Sequence, residues 1–245
     1  MVACSLEARP KPTARPIQIN VAAAADLQFA FQEIGELFEQ ETGIQVVFIF
    51  GSSGQLAQQI ENGAPFDAFA AANIFYVEQL KEKGLLRPET QRLYAQGHIV
   101  LAVHRASGVQ ATRLEDLQQP SIRKVAIANP DHAPYGVAAK EALESLGLWE
   151  AVRPKLVYGE NVRQALQFVQ TGNAEAGIIA LSVANVPEVT YTVIDDHLHK
   201  PLNQAMAVLA RTSQPSEASA FLEFVNSPQG RSVMKRYGFL PPGEF

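Results

Sequence analysis

Residues 17–27 read IQINVAAAADL, and this stretch decides the fold. Polar and apolar residues alternate before the run turns wholly apolar, which is typical of a strand that enters a core. Residues 27–38 then carry apolar side chains at helical spacing, and Gly43 closes the segment. A strand that leads through a short loop into a helix is the repeating unit of α/β folds.

The same alternation of strand and helix continues along the chain. We predict further strands over residues 44–50, 67–72, 98–104, 124–129, 155–158, 176–181, 190–194 and 205–210. We predict further helices over residues 56–60, 75–84, 137–147, 162–172, 216–226 and 228–237. The pattern predicts an α/β fold whose mainly parallel sheets are flanked by helices.

The composition excludes several classes of protein. The 245 residues include 25 acidic and 20 basic side chains, a net charge of −5, without a basic run of the kind that binds nucleic acid. The single cysteine excludes an internal disulfide framework and any zinc site with several cysteines. No apolar run is long enough to span a membrane. A net negative charge would be expected to disfavour anions.

Residues 1–16 contain three prolines and no apolar period, so we predict a disordered tether. The small residues before Cys4 resemble the end of a bacterial lipoprotein signal, although a complete signal is absent. Two interpretations are open: Cys4 carries a lipid, or it is a free and inert cysteine.

Four short loops between a predicted strand and a predicted helix share one composition. They are residues 24–26, 51–54, 130–136 and 159–161, and each places Gly, Ser, Asn or Asp at a helix start. Helix N-termini bind anions because their first N–H groups lack partners and carry partial positive charge. The loops therefore predict an anion site without Lys or Arg, although Asp26, Ser52 and Asn161 are also good helix caps.

In these loops and their neighbours the chain resembles the molybdate-binding proteins of ABC importers. The resemblance is carried by residues 23–27 (AAADL), 50–56 (FGSSGQL), 62–67 (NGAPFD), 133–136 (APYG), 159–162 (GENV), 177–182 (GIIALS) and 236–239 (RYGF). It implies a type II periplasmic-binding-protein fold, in which a tetrahedral oxyanion lies between two lobes joined by two crossing strands. We expect one lobe to comprise residues 17–96 plus 203–245 and the other to comprise residues 97–202.

The resemblance also implies the ligand and its contacts. The expected ligand is molybdate or tungstate, with no cofactor and no metal cation. The expected binding residues, through backbone N–H groups or hydroxyls, are Ala25, Asp26, Ser53, Tyr135 and Val162. One branch of the family uses a tyrosine after the strand that here ends at Ala180, and Tyr135 would replace that missing hydroxyl.

Asp26 departs from the family, whose members usually carry Ser or Asn at this position. A carboxylate beside a buried dianion would be strongly repelled. We favour the interpretation that Asp26 caps its helix and presents only its N–H group to the ligand, because Asp is a preferred N-cap. Alternatively it carries a proton, or the ligand is a protonated oxyanion such as vanadate or phosphate and Asp26 accepts its hydrogen bond.

These observations predict a monomeric, extracytoplasmic solute-binding protein that serves an ABC permease. An enzyme on the same scaffold is the competing class, and it would need a convergent acid–base pair. We expect none, since no His or Cys follows Ser52 and Ser53 in the pattern. Residues 195–199, DDHLH, contain metal-ligating residue types, but we predict a solvated loop there.

Overall fold

The computed structural model describes residues 17–245, so the predicted tether and Cys4 lie outside the described residues. The described chain forms two five-stranded sheets with helices packed on them. The strands are β1 (Gln18–Ala24), β2 (Gln45–Gly51), β3 (Ala68–Ala71), β4 (Arg92–Gly97), β5 (Ile99–His104), β6 (Val125–Ala128), β7 (Leu156–Gly159), β8 (Ala176–Ala180), β9 (Val189–Val193) and β10 (Leu202–Val208).

Both sheets have the same pattern of strand directions. The first has the order β2-β1-β3-β10-β4 and the second has the order β7-β6-β8-β5-β9. In each sheet the fourth strand in this order, β10 or β5, pairs antiparallel with both neighbours, and the remaining strands run in one direction. The prediction of an α/β fold with mainly parallel sheets is therefore confirmed.

The predicted helices flank these sheets, and two short helices that were not predicted accompany them. The helices are α1 (Gln28–Thr42), α2 (Ser53–Glu61), α3 (Ile74–Glu82), α4 (Pro134–Ser145), α5 (Trp149–Val152), α6 (Val162–Gln170), α7 (Leu181–Ala184), α8 (Pro215–Val225) and α9 (Pro228–Arg236). The two that were not predicted are α5 and α7. In the described part of the chain, no helix combines the length and the apolar character needed to cross a membrane.

Helix α1 shows how the sequence period becomes a core. Phe31, Ile34 and Phe38 recur at helical spacing and are buried, and both phenylalanines pack edge-on against Phe221 of α8. The helix ends at Gly43, whose backbone is left-handed with φ = 73°, a conformation that glycine adopts without steric cost. The contacts with Phe221 pack the C-terminal helix α8 against α1 of the first sheet.

The chain passes between the two sheets twice. The first passage is His98, between β4 and β5, and the second is residues 194–201, between β9 and β10. The Nδ1 atom of His98 lies 2.9 Å from a carboxylate oxygen of Asp196, so the two passages are joined to each other. Asp195, Asp196 and His197 are exposed, as predicted for a solvated loop, whereas His199 is buried, with Nδ1 2.8 Å from the Lys200 carbonyl oxygen. Residues 17–245 contain no cluster that could hold a metal ion.

The element boundaries differ from the predictions in a few places. β4 was not predicted, because its sequence RLYAQG carries polar residues on both sides of the buried Tyr94. Helices α2 and α4 begin three residues earlier than predicted, at Ser53 and Pro134. Proline at a first helical position has no N–H group to leave unpaired, so it starts a helix rather than preceding one.

Candidate functional site

The four loops singled out in the sequence meet at one cavity between the two sheets. The cavity is lined by Ala24, Ala25, Asp26, Gly51, Ser52, Ser53, Ala72, Ala133, Pro134, Tyr135, Asn161 and Val162. All five predicted binding residues are in this lining. The cavity is small, with a volume of ≈ 200 Å³. The structure thus brings the predicted residues together, and their contact with a ligand stays a prediction.

Helix starts from both sheets surround the cavity. α2 begins at Ser53, α4 begins at Pro134 and α6 begins at Val162, while a 3₁₀ turn over Ala25–Leu27 leads into α1. The first N–H groups of a helix have no partner within the helix and lie at its positive end. Among the described residues that line the cavity, Asp26 alone has a charged side chain. These residues therefore offer an anion the dipoles of helix starts rather than cationic side chains.

Ser53 occupies the start of α2 and is completely buried. Its Oγ atom accepts a hydrogen bond of 2.9 Å from the N–H group of Ala72, just after β3. Within residues 17–245 the hydroxyl has no acceptor for its own hydrogen. Ser53 is therefore held in place through one lone pair and keeps its O–H group for a ligand.

Ser52 is the N-cap of α2, as the capping interpretation predicted. Its Oγ atom accepts a hydrogen bond from the N–H group of Gln55 at 3.4 Å. Against expectation, a histidine lies beside it: Nδ1 of His132 is 2.8 Å from Oγ of Ser52. The N–H group of Gly54 also donates to the His132 carbonyl oxygen at 3.0 Å. The prediction that no histidine lies near these serines is wrong, because the loop before α4 reaches across from the second sheet.

Asp26 makes a buried network instead of capping a helix. Its Oδ2 atom accepts hydrogen bonds from the Tyr135 hydroxyl at 3.0 Å and from Nε2 of Gln204 at 2.7 Å. Nε2 of Gln204 also donates to the Tyr135 hydroxyl oxygen at 3.1 Å. Asp26 lies inside the 3₁₀ turn rather than before it, and neither that turn nor α1 is capped by a side chain. The capping interpretation that we favoured for Asp26 is therefore wrong.

Burial raises the pKa of Asp26 to about 6, because the carboxylate loses its hydration. The hydrogen bonds from Gln204 and Tyr135 oppose this shift but do not cancel it. Oδ1 of Asp26 and Oε1 of Gln204 are buried and have no hydrogen-bond partner among the described residues. Asp26 is thus a carboxyl group that can gain a proton near neutral pH and that retains an unused acceptor atom.

Three residues that support this network lie outside the four loops identified in the sequence. Gln204 is completely buried in strand β10, whose sequence LNQAMAV places it between Asn203 and an apolar run and does not single it out. Gly97 leaves room for the tyrosine, since a Cβ atom there would lie 2.1 Å from the Tyr135 hydroxyl oxygen. Ser182 donates to the Asp26 carbonyl oxygen at 2.8 Å and fixes that backbone. All three come from segments distant in sequence.

Asn161 caps α6: its Oδ1 atom accepts hydrogen bonds from the N–H groups of Arg163 at 3.0 Å and Gln164 at 3.1 Å. This confirms the capping interpretation for that loop and aims the start of α6, at Val162, toward the cavity. Arg163 turns away from the cavity lining, with its Nε donating to Gln28 at 3.0 Å and its guanidinium over the ring of Phe29. Arg163, the cationic side chain of α6, therefore contacts α1 of the first sheet and not the cavity.

Known proteins are similar to this chain over most of its length. The family model described as bacterial extracellular solute-binding protein matches residues 19–240. The molybdate-binding protein ModA of Rhodobacter capsulatus is 34% identical over 227 residues, which is 91% of this chain and 88% of that protein. ModA of Azotobacter vinelandii is 36% identical over 231 residues, 92% of this chain and 91% of that protein.

A solved structure agrees with these relatives. The periplasmic molybdate-binding protein of Azotobacter vinelandii superposes with a TM-score of 0.85 at 28% identity, covering 91% of this chain and 99% of that chain. The type II periplasmic-binding-protein fold predicted from the resemblance is therefore confirmed.

Proposed function

Because the chain belongs to the bacterial extracellular solute-binding protein family, we propose that it captures molybdate or tungstate between its two lobes for an ABC importer. The observation that carries this proposal is the small cavity at which helix starts from both sheets converge, and whose lining within residues 17–245 contains no cationic side chain. Such a cavity stabilises an anion through oriented dipoles, which act strongly where water is excluded.

We assign the contacts residue by residue. The N–H groups of Ala25, Asp26 and Val162 and both the N–H and O–H groups of Ser53 donate to oxyanion oxygens, and the Tyr135 hydroxyl supplies a further donor. Ser53 is the best supported of these, since its hydroxyl hydrogen has no acceptor within residues 17–245. Donors held by helix starts are rigid, so we expect the site to favour large tetrahedral anions over the smaller sulfate.

The two lobes of this proposal comprise residues 17–96 plus 203–245 and residues 97–202. The passages at His98 and at residues 194–201 serve as the hinge, and the anion stabilises the closed state by contacting both lobes at once. Ser52–His132 and Asp26–Tyr135 join the same two lobes beside the cavity. Closure therefore combines ligand contacts with direct contacts between the lobes.

The Ser52–His132 pair does not favour an enzyme. In serine hydrolases the base faces the serine and its other ring nitrogen is oriented by a carboxylate. Here Nδ1 faces Ser52, and no carboxylate within residues 17–245 bonds to the other nitrogen of His132. Ser52 is also engaged as a helix cap. We therefore propose a binding protein without catalytic activity or cofactor.

A protonated oxyanion, such as hydrogen phosphate or a vanadate species, is the second candidate. The observation that favours it is the unpartnered Oδ1 atom of Asp26, which would accept a hydrogen bond from such a ligand. In Asp26→Asn the amide oxygen would keep the hydrogen bonds from Tyr135 and Gln204, and an NH2 group would replace the Oδ1 acceptor, so we expect the variant to lose the protonated anion and keep molybdate.

We propose an extracytoplasmic location, a membrane permease as partner and a monomeric state. Cys4 is the proposed point of lipid attachment. Mass spectrometry of the protein from a bacterial host, compared with Cys4→Ser, tests the attachment, and size-exclusion chromatography with light scattering tests the monomer.

Calorimetric titration with molybdate, tungstate, sulfate, phosphate and vanadate tests the ligand assignment. We expect molybdate and tungstate to bind tightest. Binding of none of these anions below about millimolar concentration, a free energy of about −4 kcal/mol, contradicts the proposed function. Ser121→Ala, on the exposed surface of the second lobe, is a matched control for serine substitutions in the cavity.

A further inference from the structure

In the buried network formed by Asp26, Tyr135 and Gln204, the hydrogen of the tyrosine hydroxyl is already engaged. Tyr135 has one hydroxyl hydrogen, and it is donated to Asp26. Nε2 of Gln204 donates toward both Oδ2 of Asp26 and the tyrosine oxygen, which lie side by side. With Asp26 ionised, Tyr135 therefore has no hydrogen left to offer an anion in the cavity.

The same network carries a negative charge beside the proposed anion site. Asp26 and Tyr135 both line the cavity, and Asp26 is only 1% exposed, so water does not screen its charge. A dianion placed there meets a buried carboxylate and a tyrosine whose hydrogen points the wrong way. One additional proton on Asp26 removes both obstacles, because it neutralises the carboxylate and frees the tyrosine hydrogen.

Accordingly, we propose that the cavity takes up one proton with each oxyanion dianion that it binds, that Asp26 holds this proton, and that Tyr135 turns its hydroxyl hydrogen to the anion. The proton comes from solvent and converts the Asp26 carboxylate to a carboxylic acid, which then donates to the tyrosine oxygen. A ligand that carries its own proton supplies that hydrogen itself. This inference rests on the proposed function and adds the charge state at which the site works.

The neighbouring titratable groups leave this role to Asp26. Tyr94 of β4 is buried, and its hydroxyl donates to the Ala71 carbonyl oxygen at 3.1 Å. Burial raises the pKa values of Tyr94 and Tyr135 well above the usual tyrosine range, so both stay protonated. On the packed helices, Arg163 of α6 bonds to Gln28, and α7 has no titratable side chain.

The remaining facing groups are likewise engaged or neutral. β10 has no titratable side chain, and in the loop before α4 His132 bonds to Ser52. On α1, Glu33 pairs with Arg236 of α9. Asp26, with its pKa raised to about 6, is within reach of a proton near neutral pH, and a neighbouring dianion raises that pKa further.

Calorimetric titration with molybdate at about pH 7.5, in several buffers of different ionisation enthalpy, measures the protons taken up. We expect about one proton for the unaltered protein, and a dissociation constant that rises up to tenfold per pH unit above neutral. We expect about zero for Asp26→Asn. Asp131→Asn, which removes an exposed carboxylate from a neighbouring loop, is the matched control and should retain the uptake.

Molybdate binding without proton uptake by the unaltered protein overturns this inference and leaves the proposed function intact. Equal uptake by Asp26→Asn overturns the assignment to Asp26. Circular dichroism shows whether Asp26→Asn folds. If it does not, the inference is tested by the number of protons taken up, and by the pH dependence of the molybdate dissociation constant, in the unaltered protein and in Tyr135→Phe. No binding of any oxyanion by the unaltered protein contradicts the proposed function itself.

Discussion

Nδ1 of His132 lies 2.8 Å from Oγ of Ser52, although 80 residues separate them in the chain. The contact joins a loop of the second sheet to the start of α2 on the first. The Gly54 N–H group donates to the carbonyl oxygen of the same histidine at 3.0 Å. Two hydrogen bonds therefore connect the elements of the two sheets at one edge of the cavity.

Gly54 permits this contact, since a Cβ atom there would lie 2.7 Å from the His132 carbonyl oxygen. We predict that Gly54→Ala weakens molybdate binding by about tenfold or more, because the lobes can no longer close fully. Calorimetry measures the affinity, and small-angle X-ray scattering with molybdate should show a larger radius of gyration. Gln58→Ala, exposed on the same helix, should change neither, and full affinity in Gly54→Ala would contradict this role.

Ser53→Ala should cost stability as well as affinity. The substitution leaves the buried Ala72 N–H group unpaired, a loss of about 1–3 kcal/mol in the free energy of unfolding. It also removes a proposed ligand donor. Urea denaturation and calorimetry measure the two effects. Ser121→Ala, on an exposed surface, should leave both unchanged, and a stable Ser53→Ala variant with intact affinity would refute the double role.

Tyr135→Phe should weaken molybdate binding by about tenfold, the value of one hydrogen bond to a charged group. It removes the hydroxyl that donates to Asp26 and, with Asp26 protonated, to the anion. The phenyl ring keeps the packing of α4, so circular dichroism should be unchanged. Tyr158→Phe, at a half-exposed position on β7, controls for loss of a hydroxyl. Equal affinities of both variants would remove Tyr135 from the site.

The stability of the unliganded protein should depend on pH through Asp26. Its pKa rises from 3.8 unfolded to about 6 folded, so the folded state binds more protons between these values and its stability falls as pH rises through them. The loss is on the order of 3 kcal/mol. Denaturation profiles from about pH 4 to pH 7.5 should show this fall, and Asp26→Asn should lack it. Parallel profiles for the two proteins would show that Asp26 keeps an ordinary pKa.

The sequence was sufficient to predict the strand-to-helix loops and the residues at their tips, because strand alternation, helical spacing and capping residues are local signals. It was insufficient for the partners of those residues. His132 meets Ser52, and Gln204 meets Asp26, only after the two sheets are placed against each other. The capping interpretation of Asp26 failed for the same reason, since two side chains from other elements compete for its carboxylate.

The position of β10 in the first sheet has a consequence for the order in which the molecule can be built. Ala205 of β10 is paired with Ala71 of β3, and the whole second sheet lies between them in the chain. A nascent chain therefore cannot complete its first sheet until nearly all of it has been synthesised. Such distant pairings slow folding, so the newly made polypeptide spends a comparatively long time without its final structure.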